Sequence, residues 1–175
     1  MSDNYTNQAL LVVDMQKEGL SKRNVFNKQE LINNVNNLIS IFRKKNKPLF
    51  FIRHNNDSYL KENTEGWQFS EELDLFENDI IIDKRNINAF REPKLLSLLE
   101  ESKITEVVII GLISNMCVRA TSLGGLESGF SVLLISDGHS TFYKDAEKII
   151  SECNSHLTKK GARVISTAEF IKKYI

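Results

Sequence analysis

"VVIIGLISNMCVRATSLGGLESGFSVLLISDGHSTF", residues 107–142, runs from one apolar stretch through a helical pattern to a second apolar stretch. Short, continuously apolar runs rich in valine and isoleucine are typical of strands that are buried on both faces. The segment between them predicts a helix over residues 116–128, which is long enough to cross the sheet. A strand, a crossover helix and a second strand form the repeating unit of a parallel sheet.

The same alternation extends in both directions from this stretch. The pattern predicts strands over residues 9–15, 48–54, 79–83, 106–110, 131–136 and 162–166. It predicts further helices over residues 28–45, 93–102, 144–160 and 168–174. Asn27 and Glu30 are spaced as a capping box for the first of these helices, and Pro93 stands in the first turn of the next. Strands that alternate with helices indicate a doubly wound α/β fold with helices on both faces of one sheet.

Composition limits the classes of function. The 175 residues are 41% hydrophobic, which suits a single domain over residues 1–175. Lys+Arg and Asp+Glu both number 23, so the net charge gives no reason to expect a nucleic-acid or membrane partner. No apolar run approaches the roughly 20 residues that span a bilayer, and no leader pattern is visible, so we expect a cytoplasmic protein. The two cysteines are expected to be free thiols.

Three chemically active side chains follow predicted strands. Asp14 ends the first strand, Lys84 follows "DIIID", and Cys117 comes after "VVIIGLISNM". Ligand sites of open α/β sheets lie beyond the carboxyl ends of the strands, so these residues are expected to converge. An ammonium and a helix N-terminus both favour a thiolate, and a carboxylate can accept the thiol proton. Taken singly, Asp14 could end a turn, Lys84 could be solvated and Cys117 could be a small buried hydrophobe.

Other side chains are candidates for the walls of the pocket. The polar segment of residues 55–78 is too long for an idle connection and suggests a binding loop. Within it, Trp67 and Phe69 are expected either to wall a substrate pocket or to pack in the loop, and Phe90 has the same two alternatives. Gln16 is expected to orient Asp14 or its loop. His139 follows the fifth strand, where a pocket role and a structural hydrogen bond are both open.

Three blocks of this sequence resemble the signature blocks of the isochorismatase-like cysteine hydrolases: "ALLVVDMQ", "DKRNINAF" and residues 107–142. The resemblance covers about residues 8–168. It implies a three-layer α/β/α sandwich with a six-stranded parallel sheet, a Rossmann-like fold. It also implies a catalytic triad of Cys117, Asp14 and Lys84, a cis Leu112–Ile113 peptide bond, and an oxyanion hole formed by the N–H groups of Ile113 and Cys117.

The activity that this resemblance implies is hydrolysis of a small amide through a thioester. Nicotinamidases of the family carry an Asp-x-His and a second His after the second strand, whereas this chain has His54 alone in "RHNNDSYLKEN". We therefore expect no metal and no cofactor, a small-molecule amide as partner, and a homo-oligomer. The alternatives are a non-amidase hydrolase of the same family, acting on a vinyl ether or an ester, and a catalytically idle binding protein.

Overall fold

A six-stranded parallel sheet forms the centre of the molecule in a computed structural model, which describes residues 7–174. The strand order is β3-β2-β1-β4-β5-β6, and every neighbouring pair is parallel. The strands are β1 (Gln8–Val13), β2 (Leu49–His54), β3 (Ile80–Lys84), β4 (Glu106–Leu112), β5 (Ser131–Ser140) and β6 (Arg163–Ile165). The predicted doubly wound fold is confirmed.

Helices cover both faces of this sheet. They are α1 (Lys17–Leu20), α2 (Lys28–Lys44), α3 (Pro93–Glu101), α4 (Arg119–Glu127), α5 (Ala146–Lys159) and α6 (Thr167–Tyr174). Buried side chains of α2 and α6 join the core on one face, and those of α3 and α5 join the core on the other. The arrangement is the expected three-layer sandwich. Among residues 7–174, no helix combines the length and apolarity needed to cross a membrane.

β1 shows why this sequence builds two cores. All six of its residues are buried; Leu10 and Val12 pack into one core, whereas Leu11 and Val13 pack into the other. Side chains alternate between the faces of a strand, so a strand covered on both sides must be apolar throughout. Each fully buried valine or leucine contributes about 1.5–3 kcal/mol through burial. The central strand is therefore held from above and below.

Three local features differ from the sequence expectations. The predicted capping box is wrong, because Asn27 has a left-handed backbone and its side chain makes no capping hydrogen bond. Pro93 does stand at the start of α3 as predicted. The helix expected from residue 116 is preceded by a wider π-helical turn, Ser114–Val118, which continues into α4. β5 extends to Ser140 because an irregularity in its pairing with β4 absorbs extra residues.

The strand order places a binding crevice beside β1. From β1 the chain adds β2 and β3 on one side, and then crosses to build β4, β5 and β6 on the other. Loops that leave β1 and β4 therefore diverge to opposite faces and leave a crevice at the carboxyl ends of these strands. The segments that carry Asp14 and Cys117 both begin at this point.

Gly111 lets β4 approach β1 at this crevice. Its φ is +121°, and a Cβ atom there would lie 2.1 Å from the Val13 carbonyl oxygen. We expect Gly111→Ala to lower the free energy of unfolding by at least about 2 kcal/mol, because strain and a backbone clash combine. Gly129→Ala is the control, since φ is +87° there but the space is open. In urea unfolding, the control should lose about 1 kcal/mol of unfolding free energy. Equal losses in the two variants would contradict the steric argument.

Candidate active site

Lys84 joins the three predicted catalytic residues into one cluster. Its Nζ lies 2.9 Å from Asp14 Oδ2 and 3.5 Å from Cys117 Sγ. Asp14 follows β1, Lys84 ends β3, and Cys117 lies in the turn after β4, so three separate parallel strands deliver them to one edge of the sheet. The convergence that the sequence suggested is present in the fold.

Asp14 has one carboxylate oxygen bonded and one unbonded. Its backbone is left-handed, with φ +51°, and its N–H donates to the Ile52 carbonyl oxygen at 2.9 Å. Oδ2 accepts from Lys84, whereas Oδ1 is buried and has no hydrogen-bond partner in the described part of the chain. Buried carboxylate oxygens are normally satisfied, so an unbonded one beside a thiol is available to accept its proton.

Lys84 is an ammonium enclosed by the protein. Only 1% of the residue is exposed. Burial alone lowers the pKa of Lys84, but the Asp14 carboxylate and the Cys117 sulfur outweigh that effect, and the net pKa is raised. The side chain therefore keeps its positive charge near neutral pH and stabilises any negative charge that moves between carboxylate and sulfur.

The Cys117 thiol is protonated in the resting site. Burial first, and then the Asp14 carboxylate, raise the pKa of Cys117 to about 12, against the opposing effect of Lys84. The sequence prediction for this thiol considered only groups that lower its pKa, the lysine and a helix N-terminus, whereas burial and Asp14 act in the opposite direction. A proton must pass from sulfur to Asp14 as the sulfur attacks, and Lys84 balances the charge during that step.

His54 completes the surroundings of Lys84. Its Nδ1 lies 3.0 Å from Lys84 Nζ, so Asp14, His54 and Cys117 surround one ammonium. These three residues offer ligand atoms within 4.8 Å of one another, a spacing that could hold a metal ion. Lys84 already contacts all three of these residues and directs a positive charge at them. A divalent cation would be repelled at this distance, so the donor set does not suit a metal while Lys84 is protonated.

The turn before Cys117 has the geometry that the resemblance implied. The Leu112–Ile113 peptide bond is cis, as predicted. Ile113 and Cys117 both line the cavity that Asp14 lines, and the Ile113 carbonyl accepts from the N–H groups of Met116 and Val118 at 3.0 and 3.3 Å. The turn is therefore closed on itself. Its N–H groups remain our candidates for an oxyanion hole.

The cavity above this cluster has a volume of about 480 Å³. Its walls are mainly apolar or aromatic: Tyr59, Leu60, Ile87, Met116, Phe142 and Tyr143. Tyr59 and Leu60 belong to the long segment of residues 55–78, so part of the predicted binding loop does reach the cavity. Glu18 and Arg23 also line it, and their charged groups lie 3.5 Å apart. The cavity suits a small molecule with a largely apolar body.

Gln16 is the one predicted wall residue that lines this cavity. Its Nε2 donates to the His54 and Trp67 carbonyl oxygens at 2.8 and 2.9 Å, and its Oε1 accepts from the His54 N–H at 2.9 Å. The side chain thus ties the end of β2 to the loop. It fixes the loop more than it orients Asp14.

The three aromatic candidates lie outside the cavity wall. Trp67 is buried beneath the Arg53 guanidinium, whose carbon is 3.4 Å from the ring centroid. Phe69 packs edge-on against Phe51 in one core, with centroids 5.7 Å apart. Phe90 packs against Phe130 in the other core. Phe69 and Phe90 therefore belong to the cores and Trp67 packs beneath Arg53, so ordinary packing is the alternative that fits these rings.

His139 lies behind the turn that carries Cys117 and also outside the cavity wall. Its Nδ1 is 2.7 Å from Ser114 Oγ, and its Nε2 is 2.8 Å from Asn154 Oδ1. The Cys153 thiol donates to the Ser114 carbonyl oxygen at 3.0 Å. An amide oxygen only accepts, so His139 donates a hydrogen bond through Nε2, and its Nδ1 accepts a hydrogen bond from the Ser114 hydroxyl. The structural alternative for His139 is the one that the fold supports.

Acid should destabilise the protein through His139. Burial lowers its pKa to about 4, against weaker opposing effects from Asn154 and Asp137. The unfolded chain takes up this proton near pH 6.5, so stability present above that pH is lost as the pH falls toward 4. We expect this residue to contribute about 2 kcal/mol less stability at pH 5 than at pH 8.

Urea unfolding at both pH values, with His139→Gln as the comparison, measures this loss. The variant should be less stable at pH 8 and should lose about 2 kcal/mol less than the parent protein on acidification. The pKa of His54 is also lowered, chiefly by burial. Both proteins contain His54, so its effect on stability cancels in the comparison. Identical pH dependences would show that His139 is not the titrating group.

His54 was not predicted as a member of the site; in the sequence it stands as an isolated histidine where nicotinamidases of the family carry a metal site. Its position at the end of β2, one strand from β1, was the available signal. Met116, Phe142 and Tyr143 were also missed. Phe142 and Tyr143 come just after the extended β5, whose true end the apolar pattern does not show.

A parallel α/β sheet with a cysteine, an aspartate and a lysine gathered at its switch point defines a class of hydrolase folds. The Isochorismatase domain model matches residues 8–169, and the chain belongs to that family. It is 30% identical to the isochorismatase family protein YddQ of Bacillus subtilis (strain 168), over 94% of this chain and 98% of YddQ.

Two further similarities cover most of the chain. Nicotinamidase 3 of Arabidopsis thaliana is 28% identical, over 78% of this chain and 75% of that protein. A crystal structure of an isochorismatase family protein superimposes with a TM-score of 0.84 at 27% identity, over 91% of this chain and 98% of that one. The protein is therefore an isochorismatase-like hydrolase by family.

Proposed function

We propose that the protein is a cysteine-dependent hydrolase of a small amide. The observation that carries this proposal is the cluster itself: Lys84 Nζ contacts both Asp14 and Cys117 Sγ, a carboxylate oxygen of Asp14 lies within 4.8 Å of that sulfur, and Asp14 Oδ1 is buried without a partner. A binding protein gains nothing from a buried carboxylate oxygen without a partner, whereas a proton acceptor requires one. Similarity to a protein named nicotinamidase supports an amide as the substrate.

The first half-reaction forms a thioester. Cys117 Sγ gives its proton to Asp14 Oδ1 and bonds to the amide carbon, while the carbonyl oxygen takes up the negative charge. The N–H groups of Ile113 and Cys117 are the proposed donors to that oxygen. The carbon–nitrogen bond then breaks, and Asp14 passes its proton to the departing nitrogen, which leaves as ammonia or an amine.

The second half-reaction releases the acid. Asp14 takes a proton from a water molecule, and the resulting hydroxide attacks the thioester carbon. The carbon–sulfur bond breaks, and the sulfur recovers its proton from Asp14. Lys84 keeps its proton throughout and offsets the charge on Asp14 or on sulfur, whichever is negative at each step.

Release of ammonia from a panel of small amides tests the proposal. The panel should contain aliphatic, aromatic and heteroaromatic carboxamides, together with matched esters and a vinyl ether. We expect turnover of at least one neutral amide whose apolar body fits a cavity of about 480 Å³. Turnover of an ester or vinyl ether with no amide turned over would favour the non-amidase alternative. The small-amide partner and the homo-oligomer stay predictions.

We expect activity to survive removal of metal ions. Lys84 contacts Asp14, His54 and Cys117, the three residues whose spacing could hold a metal ion, and its charge repels a cation there. Dialysis against a chelator should therefore change kcat by less than about twofold. Stoichiometric zinc, iron or manganese in the active protein, with activity lost on chelation and regained on metal addition, would contradict this prediction.

A further inference from the structure

His54 has its main chain fixed and its ring directed to the site. Its backbone N–H and carbonyl are both bonded to the Gln16 side chain, at 2.9 and 2.8 Å. Its position in β2 pairs with Lys84 in β3. His54 lines the cavity, and with both backbone groups occupied, the ring is the part that a bound molecule can contact.

Lys84 determines which ring nitrogen of His54 carries the proton. The contact from Lys84 Nζ to His54 is made at Nδ1, at 3.0 Å. An ammonium has only N–H donors, so Nδ1 must present its lone pair. Burial and the nearby Lys84 charge lower the pKa of His54, which keeps the imidazole neutral near pH 7. A neutral imidazole with a bare Nδ1 carries its single proton on Nε2.

The Nε2–H group has no partner within residues 7–174. Every hydrogen bond of His54 in that part of the chain involves its backbone or Nδ1. Nε2 is unpaired but is not fully enclosed by protein. Because His54 lines the cavity, a molecule bound there can reach this N–H group. An unbonded donor on the wall of a small-molecule cavity is a recognition element.

The strand order shows which side of a substrate this donor faces. β1 lies between β2 and β4, so Asp14 lies between His54 on one side and the turn of Ile113 and Cys117 on the other. A carbonyl oxygen directed to the proposed oxyanion hole points toward the β4 side. The remaining substituents of the same carbon then point toward β2 and His54.

We propose that the Nε2–H of His54 selects amides that carry a hydrogen-bond acceptor within two or three bonds of the carbonyl carbon, on the side away from the carbonyl oxygen. Heteroaromatic carboxamides and α-oxygenated amides belong to this class. That these amides are substrates rests on the proposed amidase function. The donor itself and the preference in binding do not depend on turnover.

Nitrogen-15 NMR of the three histidines tests the donor directly. Spectra of the protein labelled at the histidine ring nitrogens should show His54 neutral at pH 7 with its proton on Nε2, and single substitutions at each histidine give the assignment. Lys84→Met should release this constraint and allow the other tautomer. A protonated His54 at pH 7, or a proton on Nδ1, overturns the proposal.

Binding of two nearly isosteric amides tests the selection. Pyridine-2-carboxamide has a ring nitrogen two bonds from its carbonyl carbon, and benzamide has a C–H in the same place. Dissociation constants are measured by NMR titration in a Cys117→Ala background, which prevents turnover. We expect pyridine-2-carboxamide to bind about 3- to 10-fold more tightly, the value of one neutral hydrogen bond.

Two substitutions at His54 distinguish the role of Nδ1 from that of Nε2. His54→Asn keeps an acceptor in the Nδ1 position for Lys84 and lacks the distal donor, so the preference should disappear. His54→Gln keeps a distal amide N–H and loses the Nδ1 acceptor, so most of the preference should remain. Equal preference in the parent and His54→Asn proteins, or no preference in the parent, overturns the proposal. An amide screen without turnover would contradict the proposed function alone.

Discussion

Replacing Cys117 with alanine should lower kcat by at least about 1000-fold on any amide that the protein hydrolyses. The thioester cannot form without the sulfur, and Asp14 and Lys84 alone could only assist direct attack by water. Cys117 is a small residue at the edge of a cavity, 8% exposed, so the free energy of unfolding should change by less than about 2 kcal/mol. Only loss of activity together with an intact fold would support Cys117 as the nucleophile.

Cys153→Ser is the matched control. The Cys153 thiol donates to the Ser114 carbonyl, and a serine hydroxyl at the same place can keep that bond. Its activity should stay within about tenfold of the parent protein. Mass spectrometry of the parent, stopped during turnover, should find the acyl group on the peptide that contains Cys117. An acyl group on Cys153, or full turnover by Cys117→Ala, would show that Cys117 is not the nucleophile.

The fold could be predicted because its signals are local. The central strands contain continuous apolar runs, as in residues 107–110, and a helix that covers them has an apolar face, as α2 does. Element ends were less well predicted. The capping box at Asn27 failed because spacing alone does not show the left-handed backbone, and β5 ran past its apolar run because its pairing with β4 is irregular.

The candidate site could be predicted only as far as it lies at strand ends. Asp14, Lys84 and Cys117 each follow an apolar run, so the shared edge of a parallel sheet brings them together. His54 was missed because its role depends on strand register, which pairs it with Lys84. For a related reason, the sequence left open whether the aromatic candidates line the pocket or pack in the protein interior. Whether a ring such as Phe69 enters a core or a cavity is decided by tertiary packing, which loop sequence does not encode.

Replacing Lys84 with methionine should lower the free energy of unfolding at pH 7 by about 3–5 kcal/mol. Methionine matches the length of the lysine stem, so packing is largely kept. The Asp14 carboxylate, however, would stay buried with neither oxygen paired, since Oδ1 already lacks a partner and Oδ2 would lose its ammonium. Lys28→Met is the control: Lys28 pairs with Glu72 at 2.7 Å on the surface, and its loss should cost less than about 1 kcal/mol.

The double variant Asp14→Asn with Lys84→Met should recover most of the lost stability. It leaves no buried charge, and asparagine tolerates the left-handed backbone of position 14, where φ is +51°. Denaturant unfolding and kcat are measured on both single variants and on the double variant, and we expect all three to be inactive. Stability that returns without activity would mean that the buried ion pair is kept for proton transfer and not for folding. A double variant as unstable as Lys84→Met would instead make lost packing, not the uncompensated carboxylate, the cause of the instability.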